Sequence, residues 1–182
     1  QSQMKDCLII GGRFGLSSKD TTSAQILAVY DELNKSNPKQ RFTIGITDDV
    51  TNLSLDEKKY LVHTCPSEIY ECKFWGIGGD GTVGANKDSI KIIGDYTENN
   101  VQGYFQYDSK KTNGITISHL RFGKVPIKSS YYVKKADFVA CHSQSYILNK
   151  FNIIKEIKKD GILLLNTSWT DEELFEHIGQ ED

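Results

Sequence analysis

The sequence predicts a three-layer α/β/α fold around a mainly parallel or mixed sheet. Three observations lead there. Short apolar runs with strand character alternate with helix-like segments along the chain, the pattern of βα units whose parallel strands need crossover helices. One such run, Phe74-Trp75-Gly76-Ile77, passes into a glycine cluster that opens a helix, the strand–turn–helix arrangement of Rossmann-like sheets. The 182 residues are 38% hydrophobic and 25% charged, which supplies the core of one domain of ordinary size.

Taken in order, residues 7–10 read as a buried strand, and residues 11–19 as a glycine-containing loop. A helix spans about residues 22–34, with Asp20 or Thr21 as its cap and Ile26, Tyr30 and Leu33 on one face. Residues 42–46 form the next strand. The polar stretch 47–67 gives no assignment. Residues 70–77 are a strand, and residues 82–93 a helix stopped by Gly94. Strands 101–107 and 115–121 flank a loop at 108–114. Residues 136–141 form another strand, residues 146–159 a helix ended at Gly161, and residues 162–165 a strand. The last helix covers 170–178, where Thr170 and Glu173 have capping-box spacing.

Composition excludes several function classes. The formal net charge is −2 and the pI about 6.1, so no basic field draws the chain to nucleic acid or an anionic membrane. No run of about 18 apolar residues exists, and the N-terminal residues lack an apolar signal core. The four cysteines, Cys7, Cys65, Cys72 and Cys141, are irregularly spaced without CxxC. They build no zinc or iron–sulfur site on their own. Cys7 and Cys141 lie in apolar runs, so both are expected to be buried reduced thiols in a reducing cytoplasm. A strand-like run begins almost at once, and the chain stops in or just after a helix. Residues 1–182 are therefore expected to be one single-domain fragment cut from a longer protein, shortened at its C-terminus, with residues 1–20 as the junction to a preceding domain.

The strongest local motif is Gly76-Ile77-Gly78-Gly79-Asp80-Gly81, a G-x-G-x-x-G match followed by Thr82-Val83-Gly84-Ala85-Asn86-Lys87. A strand precedes it and a helix follows, as the motif requires. Glycines let backbone approach a ligand, and the first N–H groups of the helix can face an anion. Lys87 adds a full charge within the first turns. Gly84 is followed by Ala85 rather than Lys, so this is not a Walker A loop. Asp108 ends the next strand beside Ser109, Lys110 and Lys111, a set suited to a ribose that carries a phosphate; both NADP and coenzyme A have one. Arg13, Ser17, Ser18 and Lys19 follow the first strand and offer a bidentate cation, two hydroxyls and a point charge. In one parallel sheet this loop would meet the glycine cluster at the carboxyl edge.

Weaker candidates have structural readings. His119 and Arg121 share a strand face, where a satisfied structural histidine is expected. Cys141-His142-Ser143 has nucleophile letters, but neighbours in sequence rarely form a dyad. Asp48 and Asp49 read as turn caps, and His63 and His177 as surface residues.

Several blocks together resemble the pyruvate:ferredoxin oxidoreductase family. They are residues 11–20, Gly45-Ile46-Thr47-Asp48-Asp49-Val50-Thr51, residues 74–87, Gln102-Gly103-Tyr104-Phe105, residues 107–111, Ser118-His119-Leu120-Arg121-Phe122-Gly123 and residues 136–142. They cover nearly the whole chain in family order. The resemblance implies the gamma-like region, or domain III, of an enzyme that converts pyruvate and coenzyme A to acetyl-CoA and CO₂. That enzyme uses thiamine diphosphate, Mg²⁺ and 4Fe–4S clusters, passes electrons to ferredoxin or flavodoxin, and is normally a homodimer. The region contributes to coenzyme A binding and holds neither the thiamine nor the clusters. By matching position, Gly78, Gly79, Gly81, Thr82, Asn86 and Lys87 form the phosphate-facing loop, and Arg13, Ser17, Ser18, Lys19, Lys110 and Lys111 support it. No residue of the chain is expected to be catalytic. An NADP-binding reductase domain and a ligand-free scaffold are the alternatives.

Overall fold

Apolar side chains collect into two cores, one around Ala28, Phe42 and Ile44, the other around Trp75, Val139, Cys141, Tyr146 and Ile153. They belong to two compact units, residues 1–64 and 65–182. The structure, a computed structural model, describes residues 7–15, 20–46, 50–60, 62, 64–108 and 113–178.

The first unit is a βαβ turn. Strand β1 (Gly11–Phe14) and strand β2 (Arg41–Ile44) pair in parallel, joined by helix α1 (Ser23–Leu33). Three expectations are corrected here. The strand begins at Gly11, because pairing runs only from Gly11 opposite Arg41 to Phe14 opposite Ile44; Cys7, Leu8 and Ile9 precede it and are exposed. The cap is Thr22 rather than Asp20 or Thr21. Thr22 Oγ1 accepts from the Gln25 amide at 3.2 Å, while Gln25 Oε1 accepts from the Thr22 amide at 3.1 Å, a capping box. Finally, α1 buries Ala28 and Glu32 and leaves Ile26 and Tyr30 exposed. The Glu32 carboxylate sets that rotation, accepting from the Lys39 amide at 2.8 Å and from Lys35 Nζ at 2.6 Å.

The second unit holds strand β3 (Ile69–Ile77), helix α2 (Thr82–Tyr96), strands β4 (Asn100–Tyr107), β5 (Ile115–Gly123) and β6 (Ala136–Cys141), helix α3 (Ser145–Leu148), a 3₁₀ turn (Ile154–Glu156), strand β7 (Ile157–Leu165) and helix α4 (Asp171–Ile178). The strand order is β4-β5-β3-β6-β7. β5 runs antiparallel to β3 and β4, whereas β6 and β7 are parallel to β3. The expected mixed sheet of an α/β fold is present.

Alternation along the strands separates two faces. On one, α2 packs over β3, β4 and β5. It runs through Gly94 rather than stopping there, because Gly94 permits close packing: a Cβ at this position would lie 3.2 Å from Val101 Cγ2. On the other face, the Trp75 ring packs against Tyr146 and Phe151 at centroid distances of 5.8 and 5.6 Å.

That second face also buries charge. Arg121 Nε donates to Glu71 Oε1 at 2.8 Å, and its Nη1 donates to Gln102 Oε1 and to the Tyr131 carbonyl. Lys158 reaches Glu71 at 3.2 Å and Asp137 at 2.9 Å. Glu156 pairs with Lys73 and accepts from Trp75 Nε1 at 2.8 Å. His119 bonds Gln106 at 2.7 Å and stacks on Tyr132. His119 and Arg121 do share a buried face, and both are built into the sheet.

The expected helix at 146–159 is corrected: only α3 forms, and from Ile157 the chain is strand. Extended backbone brings Ile157 opposite Ala136 and Leu163 opposite Val139, with a register shift between them that Asp160 accommodates at φ 64°. β7 is an edge strand and turns Ile162 and Leu164 outward, 55% and 47% exposed. At α4 the expected capping box is present: the Thr170 amide donates to Glu173 Oε2 at 2.9 Å, and the Glu173 amide to Thr170 Oγ1 at 3.3 Å.

Candidate functional site

β3, β4, β6 and β7 all point the same way, so their carboxyl ends share one edge of the sheet. From β3 the chain crosses by α2 toward β4. From β6 it crosses by α3 toward β7, on the opposite face. The two connections diverge between β3 and β6, which makes a topological switch point, the usual place for a ligand crevice in open α/β sheets.

The glycine loop sits at this edge. Gly76 is required by close approach, since an added Cβ would stand 2.8 Å from Thr82 Cβ, the first residue of α2. Gly79 and Gly81 have φ of 96° and 85°, in the left-handed region that glycine enters without strain. Asp80 closes the loop internally. Its Oδ2 accepts from the Ile77 amide at 2.7 Å and its Oδ1 from the Thr82 amide at 2.8 Å. Burial opposes the charge on Asp80, but these two amides, the Thr82 hydroxyl and the nearby His142 together hold its carboxyl below the usual value. The Gly78 amide donates to the Gly114 carbonyl at 2.7 Å and ties the loop to the start of β5.

Beside the loop opens a cleft of about 560 Å³, lined by residues 77–81, by Val83 and Gly84 of α2, and by Tyr107 and Thr116. The amides of Val83 and Gly84 lie in the first turn of the helix, where no intrahelical acceptor is available. Thr116 is the register partner of both Gly76 and Tyr107. It is 5% exposed, and its buried Oγ1 has no hydrogen-bond partner among the described residues.

Of the residues singled out from sequence, Gly78, Gly79 and Gly81 line this cleft. Thr82 and Asn86 are buried beneath it, Asn86 Nδ2 donating to the Thr82 carbonyl at 2.9 Å. Lys87 is exposed outside the lining, its Nζ 5.4 Å from the centroid of Phe105. Among the described residues, the side-chain charge in the lining is therefore the Asp80 carboxylate. Arg13 lies in β1, in the two-stranded sheet of the first unit, so the premise of one sheet carrying both loops does not hold. Ser17, Ser18, Lys19, Asp48, Asp49, His63, Lys110 and Lys111 lie outside the described residues. Ile77, Asp80, Val83, Gly84, Tyr107 and Thr116 were missed as lining residues. The strand–helix context of the glycine motif pointed to Val83. Thr116 emerges only once strands are paired.

The three buried cysteines do not supply a nucleophile. Burial pushes the Cys141 and Cys65 thiols up and the Cys72 thiol up to about 12, so all three stay protonated. Cys141 Sγ donates to the Ser143 carbonyl at 3.1 Å, while the His142 amide donates to the Trp75 carbonyl. Among the described residues, no group of three or more His, Cys, Asp or Glu side chains is placed to hold a metal ion, and no helix is long and apolar enough to cross a membrane.

A family model for pyruvate ferredoxin/flavodoxin oxidoreductase matches residues 71–181, which contain the glycine loop, the cleft and nearly all of the five-stranded sheet. The chain belongs to the pyruvate ferredoxin/flavodoxin oxidoreductase family. Among curated relatives, the pyruvate:ferredoxin oxidoreductase of Moorella thermoacetica is 54% identical over 93% of the chain, and the pyruvate-flavodoxin oxidoreductase of Klebsiella pneumoniae is 51% identical over 94%. The mitochondrial pyruvate dehydrogenase [NADP(+)] of Euglena gracilis is 48% identical over 93%. The chain spans 14% of the first two proteins and 9% of the third. The crystal structure of the pyruvate oxidoreductase subunit PORC of Thermotoga maritima shares the fold: the TM-score is 0.51 and the identity 20%, with 62% of this chain and 57% of that one covered.

Proposed function

We propose that the chain is the gamma-like segment of a pyruvate:ferredoxin (flavodoxin) oxidoreductase and forms one wall of its coenzyme A site. The observation that carries this reading is the open cleft at the switch point, where glycine backbone and first-turn amides are accessible. The full-length enzyme would convert pyruvate and coenzyme A to acetyl-CoA and CO₂, deliver electrons to ferredoxin or flavodoxin, and work as a homodimer in a reducing cytoplasm. In it, Gly78, Gly79 and Gly81 let the ligand approach the backbone, and Thr82 and Asn86 hold the loop from below. Lys87 supplies positive charge outside the lining, and Lys110, Lys111, Arg13, Ser17, Ser18 and Lys19 are candidate anion contacts carried over from the sequence.

The role is binding and delivery of a thiol, with no proton moved by a side chain of this segment. Thiamine diphosphate with its Mg²⁺, and the 4Fe–4S clusters, belong to other parts of the enzyme. The buried, protonated Cys65, Cys72 and Cys141 do not fit a cluster. The NADP reading is not favoured: relatives named for ferredoxin, for flavodoxin and for NADP(+) share this segment at 48–54% identity, so the electron acceptor is not what it distinguishes.

Gly84 offers a test, because a Cβ added there meets nothing within 4 Å among the described residues. In the full-length enzyme, Gly84→Leu should fill the cleft and raise KM for coenzyme A about tenfold or more, roughly 1.4 kcal/mol. The coenzyme-A-independent reaction with pyruvate should keep its rate. An unchanged KM would refute the wall. The 182-residue chain alone should turn over no pyruvate, and turnover by it would refute the assignment as a segment.

A further inference from the structure

The two edges of the five-stranded sheet, β4 and β7, differ in sequence. β4 places Asn100, Gln102, Gly103 and Gln106 among its apolar residues, which suits a strand bordered by water. The carboxyl half of β7 is Ile162-Leu163-Leu164-Leu165, apolar on both faces. Continuous apolar runs belong to parallel strands enclosed on both faces. Leu163 and Leu165 pack against the core that holds Trp75, while Ile162 and Leu164 are left largely exposed. The devices that blunt an edge, Lys158, Lys159, Asp160 and the register shift, all lie in the amino half of β7. The backbone agrees. The Asn166 amide donates to the Cys141 carbonyl at 2.9 Å. Alternate residues of a parallel strand bond opposite neighbours, so the amides and carbonyls of Leu163 and Leu165 point away from β6. No strand among the described residues meets them.

Topology tells where a partner comes from. The connection from β3 to β4 and that from β6 to β7 run in opposite directions across the sheet and on opposite faces. They therefore share one hand, and nearly all such crossovers are right-handed. After β7 the chain enters α4, which packs beside α3. Gln144 Oε1 fixes that approach, accepting from Thr167 Oγ1 at 2.7 Å and from the Ser168 amide at 3.0 Å. A connection of the same hand that leaves β7 on the α3 face sets its next parallel strand outside β7. We infer that the stretch following residue 182 in the full-length protein supplies a short apolar strand that docks in parallel along residues 162–165 and extends the sheet beyond β7. The curated relatives have room for it, since this chain spans 14% of the first two. The docked strand serves the fold whether or not the cleft takes coenzyme A.

The unsubstituted full-length enzyme supplies the first test. Hydrogen exchange resolved to single amides should find Leu163 and Leu165 protected at least about 100-fold, as in a paired strand. Exchange at the rate of an open amide would overturn the inference. A photo-crosslinker then names the occupant. Ile162→p-benzoylphenylalanine and, separately, Leu164→p-benzoylphenylalanine are irradiated in the full-length enzyme and the joined peptides read by mass spectrometry. A bond to a stretch that follows residue 182 in the same subunit is expected. A bond to any earlier residue, a cross-linked dimer on a denaturing gel, or no bond in either variant would overturn it, even with both amides protected. Neither measurement involves coenzyme A, so loss of this strand and loss of the coenzyme A wall are separate results.

Discussion

Asp80 shows how one side chain can set the character of a loop. Both carboxylate oxygens accept backbone amides, and asparagine can replace only one of them. Asp80→Asn should therefore lower unfolding stability by about 1 kcal/mol in urea titrations. Because the folded-state value of Asp80 lies below the usual carboxylate value of 3.8, its contribution is present above that pH and lost as pH falls through the folded value. Arg121 is a second such residue. Arg121→Met leaves Glu71 buried against Lys158 alone and should cost about 3–5 kcal/mol, measured the same way. The glycines of this site were legible in sequence because their spacing and strand–helix context are local. Thr116 was not: its place beside Gly76 is fixed by an antiparallel pairing 40 positions along the chain. Asp80 was visible in the motif, but its inward turn toward the Ile77 and Thr82 amides depends on the two left-handed glycines beside it.

At the level of elements, the most instructive error concerns residues 146–159. Tyr146, Ile153, Ile154 and Ile157 fall at spacings compatible with a helix, yet the chain spends α3, a loop and a 3₁₀ turn before entering β7. Burial decides it. Ile153 is fully enclosed with Trp75 and Val139, and Lys158 on extended backbone reaches both Glu71 and Asp137. Lys158→Met, which cuts those contacts, should destabilise the sheet relative to Lys159→Met. α1 teaches the same lesson: Ile26 and Tyr30 looked like a core face, but the buried Glu32 turned the helix the other way. α2 was read well from its glycine start, and its interior still carries Gly84. Gly84→Ala should raise stability by about 0.5–1 kcal/mol without filling the cleft.

Across the whole molecule, alternation of strand and helix was enough to give the α/β class, because periodicity survives in any topology. The antiparallel β5 was not legible. A short loop between residues 107 and 115 permits a hairpin, and hairpin geometry prevailed over the crossover pattern. That hairpin also buries His119. Burial, aided by the charges of Lys73 and Arg121, pushes His119 down to about 3. The unfolded chain, with an ordinary value near 6.5, takes up the proton first. This contribution to stability is complete above about pH 6.5 and is lost as pH falls toward 3. His119→Gln should flatten the fall in thermal midpoint between pH 7 and 4.

The outward Ile162 and Leu164 of β7 bear on handling. An edge strand with apolar side chains and open backbone groups recruits other strands. Purified alone, the 182-residue chain should therefore grow soluble aggregates with concentration. Ile162→Lys with Leu164→Lys should keep it monodisperse by light scattering, because two like charges on neighbouring copies repel where two alkyl groups would stick.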